Sequence, residues 1–120
     1  MAIAEGILTV VLEAAQTHKV DRIRVKIGAL HAVVPESLRF SFQLAADGTE
    51  AQDAIVEIED VPAAFHCRMC HAEDRLDGPS FHCHACGSPE ITIMSGEELT
   101  VESVERQEGA VLVRGARITT

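Results

Sequence analysis

Every cysteine of this chain falls between Cys67 and Cys86, in the order Cys67-Arg68-Met69-Cys70, a loop over 71–82, then Cys83-His84-Ala85-Cys86. The second half repeats the first, since Phe81-His82-Cys83 mirrors Phe65-His66-Cys67 and a cysteine follows three positions later in both. A C-x-x-C turn lets two thiolates converge on one ion, and two such turns face to face supply the four soft ligands of a closed tetrahedral zinc site. Paired C-x2-C motifs at this separation are a strong zinc signature. Cys67, Cys70, Cys83 and Cys86 are therefore the expected ligands of a structural Zn2+, and iron held as in a rubredoxin uses the same donor set.

Two other uses of the cysteines fit less well. Disulfides suit secreted chains, and no basic segment followed by a leucine-rich one opens this sequence, so reduced thiols are expected. A redox C-x-x-C should open a helix after a strand. Here Pro62 precedes the first pair and Gly87 follows the second, which is loop chemistry. With all four positions filled by sulfur, no open coordination site remains for catalysis. The chain reads as a non-enzyme.

Around this module the pattern is that of an α+β fold. Ile3, Ile7, Leu8, Val11, Leu12 and Ala15 recur at helical spacing, with Glu5, Thr9, Glu13 and Gln16 opposite. Ile23, Val25 and Ile27 then alternate with Arg22, Arg24 and Lys26, a strand with one apolar and one basic face that ends at Gly28. A second helix begins at Pro35-Glu36 and stops before Asp47-Gly48. Its core residues are expected to be Leu38, Phe42 and Ala45, with Phe40 and Leu44 beside them.

Val56 and Ile58 alternate with Glu57 and Glu59 in a second strand, Ile91-Thr92-Ile93 closes the cysteine module, and Leu99-Thr100-Val101 starts a strand that rejoins the first sheet. Ala110 to Val113 reads as either one more strand or a tail. The expected architecture is thus two helices on a small mixed sheet, residues 1–61 plus 97–120, with an inserted four-cysteine, zinc-ribbon-like module over 62–96. Phe65 and Phe81, each two positions before a cysteine, are expected to shield the metal from water.

Charge and composition bear on the partner. The formal charge is −9 and aromatic residues make up 3% of the chain, with neither Trp nor Tyr. Nucleic-acid modules use basic patches and stacking aromatics, so no nucleic acid is expected, and no apolar run reaches the length of a membrane span. The basic strand face Arg22, Arg24 and Lys26 reads as a solvated face rather than a dock. A zinc-ribbon recognition or adaptor module is the alternative function from a different class.

Ile27-Gly28-Ala29-Leu30, Val34-Pro35-Glu36-Ser37-Leu38, the Phe40-Ser41-Phe42 pair, Gly48-Thr49 and the two C-x2-C pairs, in this order, closely resemble the HypA/HybF family over about residues 1 to 105. The resemblance implies a cytoplasmic nickel metallochaperone for maturation of [NiFe]-hydrogenase, and in some organisms of urease. It also implies that the chaperone carries Ni2+, works with the GTPase HypB and docks on the [NiFe]-hydrogenase large-subunit precursor.

Members of that family open Met-His-Glu and hold nickel through the amino terminus, backbone nitrogen and imidazole of that histidine, with help from the glutamate. This chain opens Met1-Ala2-Ile3-Ala4-Glu5, which aligns with the family's fourth residue onward, so the nickel-binding His and Glu have no counterpart. The reading frame is expected to open three codons late, the alternative being a paralogue without the ligand, and no residue here is named as a family nickel ligand. Among the six histidines, His66, His71, His82 and His84 crowd the knuckles as packing or hydrogen-bonding neighbours of the thiolates. His71 and His84, each beside a cysteine, are the candidates for exchange with a thiolate ligand, whereas His18 and His31 read as helix-end and loop residues.

A planar nitrogen site needs a histidine at position two to close its chelate with the amino terminus. Ala2 cannot do so. The chain as written is expected to bind Ni2+ weakly, and prepending Met-His-Glu to raise the affinity by orders of magnitude without changing zinc content. Calorimetry on both forms decides this, and equal affinities would place the nickel ligands elsewhere.

Overall fold

The structure is a computed structural model that describes residues 2–76 and 81–119. Met1, Thr120 and residues 77–80 of the loop between the cysteine pairs lie outside the described residues. In chain order the elements are α1 (Ala2–Ala15), β1 (Val20–Gly28), a 3-10 turn (Ala29–His31), α2 (Pro35–Ala46), β2 (Ile55–Val61), β3 (Ala64–Cys67), β4 (Glu73–Arg75), β5 (Ile91–Ser95), β6 (Leu99–Arg106) and β7 (Gly109–Arg117). The strands form a four-stranded sheet in the order β2-β1-β6-β7 and a three-stranded sheet in the order β4-β3-β5. Two compact units result: Met1–Lys26, Val33–Glu59 and Leu99–Thr120 in the first, and Ile27–Ala32 with Asp60–Glu98 in the second.

In the first unit the helical repeat of α1 turns Ala4, Ile7, Val11 and Ala15 inward, and the helix packs on α2, β6 and β7. Strand periodicity does the same for Val20, Ile23 and Val25, which join Val101 and Val104 of β6 in the core. In α2, Leu38, Phe42 and Ala46 are buried, whereas Phe40 and Leu44 are 62% and 66% exposed. The expectation of Phe40 and Leu44 beside the core is therefore corrected. Each stands two positions from a core residue, about 200° around the helix, so it faces away from whatever Leu38 and Phe42 touch. Ala46 rather than Ala45 completes the stripe.

The basic strand face meets acidic neighbours on both sides. Arg22 lies 3.7 Å from Glu57 of β2 and 3.9 Å from Glu105 of β6, and Lys26 lies 3.9 Å from Glu102 of β6. Half-exposed pairs of this kind are worth at most about 1 kcal/mol each, and they set Arg22 and Lys26 against carboxylates of the same sheet.

Beyond β6 the chain adds β7, so the stretch from Ala110 to Val113 is a strand. Its register with β6 runs Val101 opposite Ala116 and then Ser103 opposite Leu112, which leaves Val113, Arg114 and Gly115 bulged against Glu102. Glu102 Oε2 accepts from the Gly115 N–H at 2.8 Å and from the Thr100 hydroxyl at 2.8 Å, tying the bulge down. The Thr100 hydroxyl, with the Gly115 N–H and the charges of Lys26 and Arg114, holds the Glu102 carboxyl below its usual 4.5, while burial opposes this.

A carboxyl lowered in the folded state stabilises above its unfolded pKa of 4.5, and that contribution is lost as pH falls through the lowered value. Glu102→Gln is expected to cost about 1 kcal/mol at neutral pH and to leave a variant whose stability declines less on acidification. Urea melts at neutral pH and at about pH 3 check both parts, and a parallel acid decline in the two proteins would contradict the role given to Glu102.

Candidate metal centre

The second unit builds its site from short pieces. β3 is its central strand, pairing with β4 through Phe65 opposite Asp74 and His66 opposite Glu73, and with β5 through His66 opposite Thr92 and Cys67 opposite Ile91. Alternation along β3 sends Phe65 and Cys67 inward and His66 to the other face. Ala63, Phe65, Cys67, Leu76 and Cys83 form the buried cluster, with Leu30, Ala72, Ile91 and Ile93 packed against it. The 3-10 segment joins this unit through backbone bonds, Gly28 N–H to Glu98 O at 2.7 Å and Leu30 N–H to Gly96 O at 3.0 Å. A Cβ at Gly28 would collide with the Gly96 carbonyl, so only glycine permits that approach.

Each cysteine pair closes in the same way. Cys67 N–H donates to Ala72 O at 2.8 Å and Cys83 N–H to Ser88 O at 2.8 Å. His71 N–H donates to Cys67 O at 2.9 Å, and Gly87 N–H to Cys83 O at 2.8 Å. The sequence repeat is thus also a repeat of backbone geometry. Both turns need a left-handed residue just after the second cysteine. The second turn places Gly87 there at φ +76°, and the first places His71 there at φ +64°.

The turns bring the four sulfurs together. Their Sγ atoms all lie within 4.8 Å of one another, with Cys67 to Cys86 at 3.7 Å and Cys70 to Cys83 at 3.6 Å. Four sulfurs bonded tetrahedrally to one zinc at about 2.3 Å stand about 3.8 Å apart. The cluster fits a structural zinc site. The first cysteine of each pair is buried and the second is exposed, and all four are free.

Cys67 Sγ accepts from the Met69 and Cys70 N–H groups, both at 3.4 Å. The Cys70 backbone N–H and then that of Met69 lower the Cys67 thiol to about 6 against the pull of burial. The Ala72 backbone pulls Cys70 down, but the neighbouring Cys83 thiol and burial outweigh it and raise Cys70 to about 12. Cys86 is also raised: burial and the Cys67 and Cys83 thiols overcome the Ser88 N–H and Cys70. Thiolate ligands must lose their protons to bind, so metal binding expels protons and weakens on acidification.

The histidines divide by position. His66 donates to Glu73 Oε2 at 2.8 Å, and its ring lies 5.8 Å from that of His71. His84 packs edge-on to Phe65 at 5.7 Å and to His82 at 5.7 Å. His18 caps the end of α1 by approaching Ala15 O at 3.3 Å, and His31 contacts Glu97 O at 3.0 Å. Phe65 is 1% exposed against the buried sulfurs, but Phe81 is 56% exposed. Only Phe65 shields the site, because Phe81 lacks the strand that turns Phe65 inward. The strands β3 and β4 carry no sequence signal of their own, being four and three residues long and set beside C-x-x-C loop chemistry.

Residues 1–106 match the family model described as "HypA: Hydrogenase/urease nickel incorporation, metallochaperone, hypA". The chain belongs to the HypA family. The "Hydrogenase maturation factor HypA" of Nostoc sp. is 37% identical over 111 residues, covering 92% of this chain and 97% of that one. That of Chloroflexus aurantiacus is 41% identical over 109 residues, covering 88% and 96%. The solution structure of the Ni metallochaperone HypA from Helicobacter pylori superposes with a TM-score of 0.61 at 23% identity, over 88% of this chain and 94% of that one, a likeness of fold. The HypA family is one of nickel metallochaperones for hydrogenase maturation.

Phe65→Ala is expected to destabilise the zinc-loaded protein by about 3–4 kcal/mol, and Phe81→Ala by less than about 0.5 kcal/mol. Thermal unfolding of the two variants beside the parent tests the asymmetry. Equal losses would mean that both rings shield the metal after all.

Proposed function

We propose that this chain is a nickel metallochaperone for [NiFe]-hydrogenase maturation whose cysteine module holds one structural Zn2+ through Cys67, Cys70, Cys83 and Cys86. The observation that carries the reading is the convergence of four free thiols, within 4.8 Å, in a chain whose first 106 residues match the HypA family. Residues 1–61 with 97–120 act as the nickel-handling domain, and residues 62–96 as a module whose ligation energy is also its folding energy. Nickel is cargo. The protein performs no chemistry on it beyond binding and release, and is not an enzyme.

The partners on this reading are the GTPase HypB and the large-subunit precursor of [NiFe]-hydrogenase, in the cytoplasm. A formal charge of −9 disfavours nucleic acid as a partner. Among the described residues no helix is long and apolar enough to cross a membrane.

Protein purified under reducing conditions is expected to carry one zinc per chain, and Cys83→Ala to lose it and to disorder mainly residues 62–96. Elemental analysis and amide hydrogen exchange read the two effects. Full zinc retention in Cys83→Ala would remove the ligand assignment, and cooperative melting of both helices with the module would remove the division into two parts.

A further inference from the structure

The two cysteine turns are geometric copies, and at one position they differ in a way the four-sulfur site does not require. Where the second turn has Gly87, the first has His71 in a left-handed conformation at φ +64°. An L-residue pays roughly 1–2 kcal/mol for that conformation, and such local strain is retained where the side chain it positions has a use.

What the side chain reaches is His66. The two ring centres are 5.8 Å apart, with ring planes inclined at 47°. Two imidazoles sharing one ion place their centres roughly 4.5–6 Å apart, given metal–nitrogen bonds of about 2.0–2.1 Å. His66 is also prepared as a ligand. It sits on the outer face of β3 directly across from Glu73 of β4, and its Nδ1–H donates to Glu73 Oε2 at 2.8 Å. An ionised carboxylate only accepts, so the proton of the neutral ring resides on Nδ1 and the lone pair on Nε2 is left free. A carboxylate behind a histidine in this way fixes the tautomer and the orientation of the ring. His71 is exposed and His66 half-buried, so an ion can reach the pair from solvent.

We propose that His66 and His71, with Glu73 orienting His66, form a second metal site on the outer face of the cysteine module, for a borderline divalent ion bound by two imidazoles and water. Nε2 of His66 is one ligand and the ring of His71 the other. The donor set suits Ni2+, Co2+ or Zn2+ and is too nitrogen-rich to favour Mg2+ or Ca2+. The site itself follows from this chain's geometry. That nickel is the ion it serves rests on the metallochaperone reading, and the site would then be a second holding position for the cargo.

The left-handed position of His71 supplies a clean variant. His71→Gly copies the other turn, so it is expected to keep zinc in the cysteine cluster and to match or exceed the thermal stability of the parent. Ni2+ titrated into the zinc-loaded full chain should broaden the ring resonances of His66 and His71 first. Calorimetry should show the affinity for this added ion falling tenfold or more in His71→Gly and in His66→Gln. In Glu73→Gln the fall should be about tenfold, the usual effect of losing an orienting partner.

Undiminished Ni2+ affinity in both histidine variants would overturn the proposal, as would broadening confined to His82 and His84 or to the amino terminus. Zn2+ or Co2+ binding at His66 and His71 with none by Ni2+ would overturn nickel as the ion of this site. Zinc kept in the cysteine cluster of His71→Gly and His66→Gln while the response to added Ni2+ is lost separates the two metal assignments.

Discussion

Convergence of four sulfurs is the constraint on which the second unit depends. Among the described residues its buried cluster holds only Ala63, Phe65, Cys67, Leu76 and Cys83, two of them cysteines. So small an apolar set supplies little of the free energy needed to order a segment of this length, which is why modules of this size rely on a metal or disulfides. The free thiols leave the metal as the staple. The N–H groups of Met69 and Cys70 directed at Cys67 Sγ favour the thiolate form of that sulfur.

The first unit is built on a different basis. Its stability comes from apolar stripes of α1, α2, β1 and β6 closing on each other, and its polar interactions tidy the periphery. Glu102 shows how. Three residues of β7 bulge against it, and a carboxylate that accepts from both Thr100 and Gly115 turns an irregular edge strand into a defined one. A bulge in an edge strand also blunts it against pairing with another chain.

Much of this was legible in sequence because periodicity reports burial directly. The faces of α1 and β1, the boundaries of α2 near Pro35 and Asp47, the cysteine cluster, and the return of the chain to the first sheet at Leu99 all follow from spacing. The failures share a cause. Apolarity alone points Phe40, Leu44 and Phe81 inward, whereas angle around a helix or the absence of a strand decides their exposure. Strands β3 and β4 are too short for a period-2 pattern to register, and the identity of β7 depends on its pairing with β6 rather than on its own composition.

The histidines mark the limit of reading by residue type. All four near the cysteines look equivalent in sequence, each close to a cysteine and each a competent donor. Backbone geometry separates them. His84 is exposed and stands edge-on to both Phe65 and His82. His66 is held by a carboxylate across a strand pair. His71 occupies a backbone position that its own twin turn fills with glycine. Comparing the two copies of the turn removes everything the zinc site needs from both, and what remains is a strained imidazole beside an oriented one.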